Sequence, residues 1–188
     1  MRNLDSIGDA VSDFLQLAGL ADAARIRMFR SGDVLWRQGE PTRQILFIER
    51  GLAKTARRNL DGLSRTYGLY GPGDSMGLYA VWTGVAYPTD AVAMSEGMTA
   101  VLLDAGTLAD LARKLPSLSG PLMVEIGRFT EAFIDKIDIV SAGTLPKRLA
   151  RLLALLIDRY GLGVSEASAR LPINMTLEQI GEIVDARV

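Results

Sequence analysis

The spacing of apolar positions changes twice along this chain. From residue 4 to 24, Ile7, Val11, Phe14, Leu15 and Leu17 recur at helical intervals, with Asp5, Asp9 and Asp13 among them. That pattern predicts an amphipathic helix rather than a signal peptide. From Ile26 to Asp104 the texture becomes short β-prone runs punctuated by Gly32, Gly39, Gly51, Gly62, Gly73, Gly77 and Gly84. Regular turn signals of this kind predict an all-β sandwich, barrel or roll. The clearest strands are Ile45–Glu49, Leu52–Arg58, Leu63–Tyr70, Thr89–Met94 and Thr99–Leu103, and Asn59 to Gly62 reads as a hairpin turn. From Ala105 onward the period is helical again. A short helix covers Thr107 to Lys114, and a long one runs from Leu118 to Ser141. In the long helix Met123, Ile126, Phe129, Phe133, Ile137 and Val140 recur every three or four residues, as in a coiled-coil seam.

Gly143 breaks this helix and offers a hinge. Thr144 is placed to cap the next helix, Pro146 sits in its first turn, and Gly161 ends it. Its expected buried face is Leu149, Leu152, Leu153, Leu156, Ile157 and Tyr160. A loop follows, with a short strand expected at Arg170 to Ile173. Met175 to Val188 then reads as the first helix and the turn of a helix-turn-helix, with the second helix barely begun. Thr176 and Gln179 form a capping box, and Leu177, Ile180, Ile183 and Val184 make the apolar face. With the second helix missing, the expectation is that Ile180, Ile183 and Val184 are partly uncovered and that the tail from Leu162 packs poorly.

Composition narrows the chemistry. The net charge is −1, so any basic surface is local. There is no cysteine and no histidine. Disulfides, cysteine-ligated iron–sulfur clusters and histidine-ligated haem are excluded, and no metal site or enzymatic constellation is expected. No stretch is long and apolar enough to span a membrane, and the default location is the cytoplasm.

The order of parts resembles the Crp/Fnr family of bacterial transcription regulators. The resemblance rests on Gly32-Asp33, Gly39-Glu40, Phe47 to Gly51, Gly71-Pro72-Gly73-Asp74, and Leu177 to Val184. It implies an α+β chain in three parts: an effector-sensing β-roll with flanking helices (1–117), a dimerisation helix (118–142) and a partial winged helix-turn-helix (143–188). It also implies a homodimer that binds operator DNA in a full-length form.

In that family a glutamate and an arginine hold the ribose and cyclic phosphate of a bound nucleotide. Here Leu78 stands at the glutamate position and Pro88 at the arginine position, leaving Gly77 and Thr89. Leu78 to Pro88 carries no charge, and a hydroxyl without a cation cannot offset desolvation of a phosphate. This argues against cAMP or cGMP. The pocket either takes an apolar or aromatic effector between Tyr79, Trp82 and Tyr87, or these rings fill a collapsed roll. On the DNA side, Thr176 and Arg187 are the candidate contacts, with Lys147, Arg148 and Arg151 as local positive charge. A rival reading is an interaction module that dimerises without reading DNA.

Overall fold

The computed structural model describes residues 24–58, 64–114, 116, 119–165, 168–171 and 173–186. The predicted N-terminal helix, the Asn59–Gly62 turn and Arg187 lie outside them; Ala24, assigned to that helix, is instead the first residue of a strand. Among the described residues, eight strands form two four-stranded antiparallel sheets. One has the order β1 (Ala24–Phe29), β8 (Met98–Asp104), β3 (Gln44–Arg50), β6 (Ser75–Met76). The other has the order β2 (Val34–Trp36), β7 (Asp90–Ala93), β4 (Ala53–Arg58), β5 (Ser64–Tyr70). The five strands expected in the roll are present, and β1, β2 and β6 are added by pairing that no local pattern announces.

Three turns of this roll use one device. In Arg30–Asp33, Arg37–Glu40 and Gly71–Asp74, a glycine with positive φ occupies the third position. The acidic side chain after it accepts the backbone N–H three residues back, at 2.9, 3.1 and 2.8 Å. Only glycine takes that φ without strain, and the carboxylate satisfies the N–H left free at the turn entrance.

The helices are α1 (Leu78–Thr83), α2 (Ala105–Lys114), α3 (Ser119–Ser141), α4 (Leu145–Tyr160) and α5 (Leu177–Val184). Strand β3 is buried on both faces. Leu46 and Ile48 enter the roll interior with Phe29, Trp36 and Met98. Ile45 and Phe47 face outward onto Leu78, Leu108, Leu111 and Leu122 of α1, α2 and α3. A third cluster joins the roll to the C-terminal helices: Leu52, Leu69 and Met94 pack with Ile139, Leu152, Leu156, Ile183 and Val184.

This cluster overturns the expectation of uncovered residues for Ile183 and Val184, while Ile180 is half-buried and Leu162 to Ser165 are exposed as expected. Ile183 and Val184 are each only 1% exposed, because the roll itself covers them. Leu177, expected on that buried face, is instead exposed, as is Leu153 of α4. The strand expected at Arg170 reduces to a single bridge between Leu162 and Arg170. Thr144 begins α4 without a side-chain cap bond. Gly161 ends it with φ near −67° rather than in a left-handed turn. Its glycine is required by space, since a Cβ there would lie 2.4 Å from the Ile157 carbonyl oxygen.

Helix α5 starts with the expected capping box: Thr176 Oγ1 accepts from Gln179 N at 3.1 Å, and Gln179 Oε1 accepts from Thr176 N at 2.9 Å. Its other end is closed by cations from elsewhere. Lys136 of α3 donates to the carbonyls of Glu182 and Ile183. Arg148 of α4 donates to those of Val184 and Asp185, at 3.2 and 3.4 Å. Lys54 of β4 pairs with Glu182, and Arg65 of β5 with Asp185 at 3.2 Å. The last carbonyls of a helix have no intrahelical partner and carry its negative pole, so these cations are matched to it.

A second polar junction lies beneath the Gly71–Asp74 turn. Tyr160 of α4 donates its hydroxyl to Asp74 at 3.1 Å. Arg159 lies 4.0 Å from Asp74 and 2.5 Å from Asp135 of α3. Arg128 of α3 donates to the Gly73 carbonyl at 3.1 Å. Burial pushes the Asp74 carboxyl above its ordinary range, against the opposing pull of the Gly71 N–H and Arg159. Tyr160 fits because position 71 is glycine: a Cβ there would lie 2.5 Å from its ring.

Two outcomes follow from these contacts. Gly71→Ala forces the Tyr160 ring off Asp74 and lowers stability by about 1–3 kcal/mol in urea unfolding. Burial lowers the Lys136 pKa from 10.5 to about 8. Between those values the unfolded chain holds more protons than the folded one, so stability rises with pH. The wild-type protein should therefore gain on the order of 1 kcal/mol relative to Lys136→Met between pH 7 and pH 9.5. Urea midpoints that move in parallel for both proteins would contradict the placement of Lys136.

Candidate functional site: an uncharged cavity in the roll

A cavity of about 30 Å³ lies in the roll between β4, β5, α1 and α3. It is lined by Trp36, Thr55, Tyr70, Met76, Gly77, Tyr79, Ala80, Tyr87, Pro88, Thr89 and Phe129. Water-sized occupants fit; a ring does not without movement of the wall. None of the lining residues is charged.

The geometry sorts the sequence-predicted pocket residues. Gly77 begins α1 with φ of 89°, and a Cβ there would sit 3.0 Å from the Gln44 carbonyl oxygen. Tyr79, Tyr87, Pro88 and Thr89 line the cavity. Leu78 does not: it is buried on the other side of α1, among Ile45, Phe47 and Leu108. Trp82 is about half exposed and also lies off the cavity wall. On a six-residue helix only one face reaches the roll, and Tyr79 and Ala80 occupy it.

Trp36, Thr55, Tyr70, Met76, Ala80 and Phe129, missed by local reading, complete the wall. Trp36 stacks on Tyr87, with ring centroids 4.3 Å apart and planes at 12°, and its indole N–H donates to the Thr89 carbonyl at 3.0 Å. Tyr87 donates its hydroxyl to the Gln44 carbonyl at 2.7 Å. Thr55 and Tyr70 come from adjacent strands, with Thr55 paired to Gly68. Gly68 makes room for the Tyr70 ring, whose hydroxyl would lie 2.8 Å from a Cβ at that position. Phe129 of α3 closes the remaining side, stacked on Tyr79 at 5.2 Å and 8°. The alternation along β4 and β5 carried a signal for Thr55 and Tyr70; Trp36 and Phe129 arrive only through tertiary packing.

Two polar atoms of this wall stand out. Thr55 Oγ1 and the Tyr70 hydroxyl are buried next to each other and have no hydrogen-bond partner beyond one another. Burial pushes the Tyr70 hydroxyl up to about 12, so it remains a neutral donor.

Helix α3 is two-faced, and the expected seam divides between its faces. Ile126, Phe129, Phe133 and Val140 are half-buried, with Ile126 packed beside α2 and Phe129 against the roll interior. Phe133 contacts Phe129 at 5.1 Å and Tyr67 of β5 at 6.1 Å. Met123 and Ile137 point away from the roll. With Gly127, Thr130, Ile134 and Ser141 they form an exposed strip stepping alternately by four and three residues. This is the period of a coiled-coil seam, rotated from the expected one because the roll absorbs the aromatic residues.

In the C-terminal head, formed by α4 and α5, Thr176 is exposed at the start of α5 with its hydroxyl engaged by Gln179. Arg148 is spent on the end of α5, and Arg151 pairs with Asp138 at 2.7 Å. Lys147 remains exposed. Gly143 joins α3 to α4 with φ of 93°. Among the described residues no helix is long and apolar enough to cross a membrane.

Residues 26–114 match the model of the cyclic nucleotide-binding domain. No curated protein sequence matches the chain. Among solved structures, FixK2 from Bradyrhizobium japonicum superposes with a TM-score of 0.73 at 18% identity, over 87% of this chain and 78% of FixK2. A Crp-family transcriptional regulator from Thermus thermophilus gives 0.66 at 22% identity, over 85% of this chain and 77% of its own. The c-di-GMP-responsive global regulator CLP of Xanthomonas campestris gives 0.67 at 14% identity, over 95% of this chain and 86% of its own. The roll thus matches the cyclic nucleotide-binding domain over residues 26–114, and the chain as a whole shares the α+β fold of these solved regulators.

Proposed function

We propose that this chain is the sensory and dimerising portion of a DNA-binding transcription regulator, and that its roll answers to an effector other than a cyclic nucleotide. The observation that carries the reading is the continuous order of roll, two-faced rod and capped α5. The first helix of a helix-turn-helix is held against both the rod and the roll. A change in the roll is then mechanically tied to the element that positions a reading helix in the major groove. The non-nucleotide part rests on the cavity wall, which offers an anion no cation.

The exposed strip on α3 supports pairing of two copies. Ile134 and Ile137 lie in the middle of it, and apolar side chains at such spacing are buried by a second helix of the same kind. Ile134→Glu would place an unpaired charge in that seam and weaken the dimer by about a hundredfold or more. Sedimentation velocity checks this: a wild-type protein that is monomeric at micromolar concentration contradicts the pairing.

For DNA, the full gene product is incubated with a random duplex pool and the retained sequences are read. The expected result is a two-fold symmetric motif, bound in mobility-shift assays at about 10⁻⁸ M or tighter. Absence of any enriched motif sinks the regulator reading.

A further inference from the structure

A buried hydroxyl pair and the missing charge together say what the cavity can hold. Thr55 Oγ1 and the Tyr70 hydroxyl lie side by side at the floor with no partner beyond each other. Two hydroxyls bonded to one another leave one O–H and spare lone pairs unused, so an occupant that engages them gains specificity as well as affinity. Around them the wall is aromatic and flat-faced: Trp36 stacked on Tyr87 on one side, Tyr79 stacked on Phe129 on the other. Ring faces favour a planar occupant, and a wall without a cation rejects an anion.

The wall is also built to yield on one side. Tyr79 is 39% exposed and rides on α1, which spans only six residues. That helix lies between Gly77 and Gly84, with φ of 89° and 67°. Opposite it, Trp36 and Tyr87 are buried and tied to backbone carbonyls.

We propose that the cavity binds a small, uncharged, planar ring compound bearing a hydrogen-bonding oxygen. Its polar group is held by Tyr70 and Thr55, and Tyr79 of α1 is displaced from Phe129 to admit it. This deepens the effector reading of the same cavity and rests on it. Entry of the ring moves Phe129, and Phe129 touches Phe133, which touches Tyr67 beside α5's anchoring strand. Occupancy is thereby felt at the rod and at the roll edge that grips the head.

Phenol is the probe, with toluene, benzoate and cAMP as comparisons, each titrated calorimetrically into the protein. The expected result is saturable phenol binding, about millimolar or tighter. It should be at least tenfold stronger than toluene, with no binding of benzoate. Tyr70→Phe and Thr55→Val each remove most of phenol's advantage over toluene, and Thr55→Ser restores it. Thermal unfolding of each variant identifies any that fails to fold, and the Thr55→Ser rescue then carries the test. Phenol that does not saturate, or that binds no better than toluene, overturns the proposal. So does benzoate binding as tightly as phenol. Binding of cAMP without phenol overturns the ligand class yet leaves an effector role standing. The random-duplex selection tests the regulator reading independently of either result.

Discussion

The carbonyl end of α5 is the constraint on which this architecture turns. A helix that finishes inside a protein leaves its last carbonyls without hydrogen bonds, and leaving them bare there costs several kcal/mol. Lys136 and Arg148 meet that need from two different helices, while Lys54 and Arg65 reach across from the roll to the acidic side chains of the same turn. The apolar part of the contact, Ile183 and Val184 against Leu52, Leu69 and Met94, excludes water and strengthens the attractions of Lys54 and Lys136, while the Arg65–Asp185 pair stays exposed. Head, rod and roll therefore meet at one point, and none can shift without disturbing the partners of the other two.

The cavity and the head are linked by two physical routes. One is covalent: Asp74, held by Tyr160 near Arg159, lies three residues before Gly77, where the cavity helix begins. The other is a run of ring contacts from Tyr79 through Phe129 and Phe133 to Tyr67. Packed rings have few alternative arrangements, so a displacement at one end is passed on rather than absorbed. The roll thus holds part of its cavity wall and its polar contact with α4 in one stretch of chain, from the Gly71 turn to α1.

Much of the fold was legible because period and punctuation agreed. The apolar run of β3, the glycine–acid pairs at 32–33, 39–40 and 73–74, Gly143 and the Thr176–Gln179 box are local signals, and each has a local physical cause. What failed depended on partners distant in sequence. The six apolar positions of α3 look like one seam because both sides of that helix are apolar; only the roll's aromatic residues decide which side is left over. Leu78 and Trp82 share an uncharged stretch with Tyr79, but a single-faced short helix sends them elsewhere. The pocket's lack of charge was readable from Leu78 to Pro88, and strand alternation hinted at Thr55 and Tyr70, whereas Trp36 and Phe129 join the wall only through tertiary packing.

Gly143 gains its meaning from its surroundings. Its backbone sits at a φ of 93°, and nothing lies within 4 Å of where a side chain would project. The glycine itself therefore does not fix the direction in which α4 leaves α3. That direction is set by side chains on either flank: Arg151 on Asp138, Arg159 on Asp135, and Leu152 and Leu156 against Ile139. The corner between the two helices is thus held shut by its arms and not by its apex.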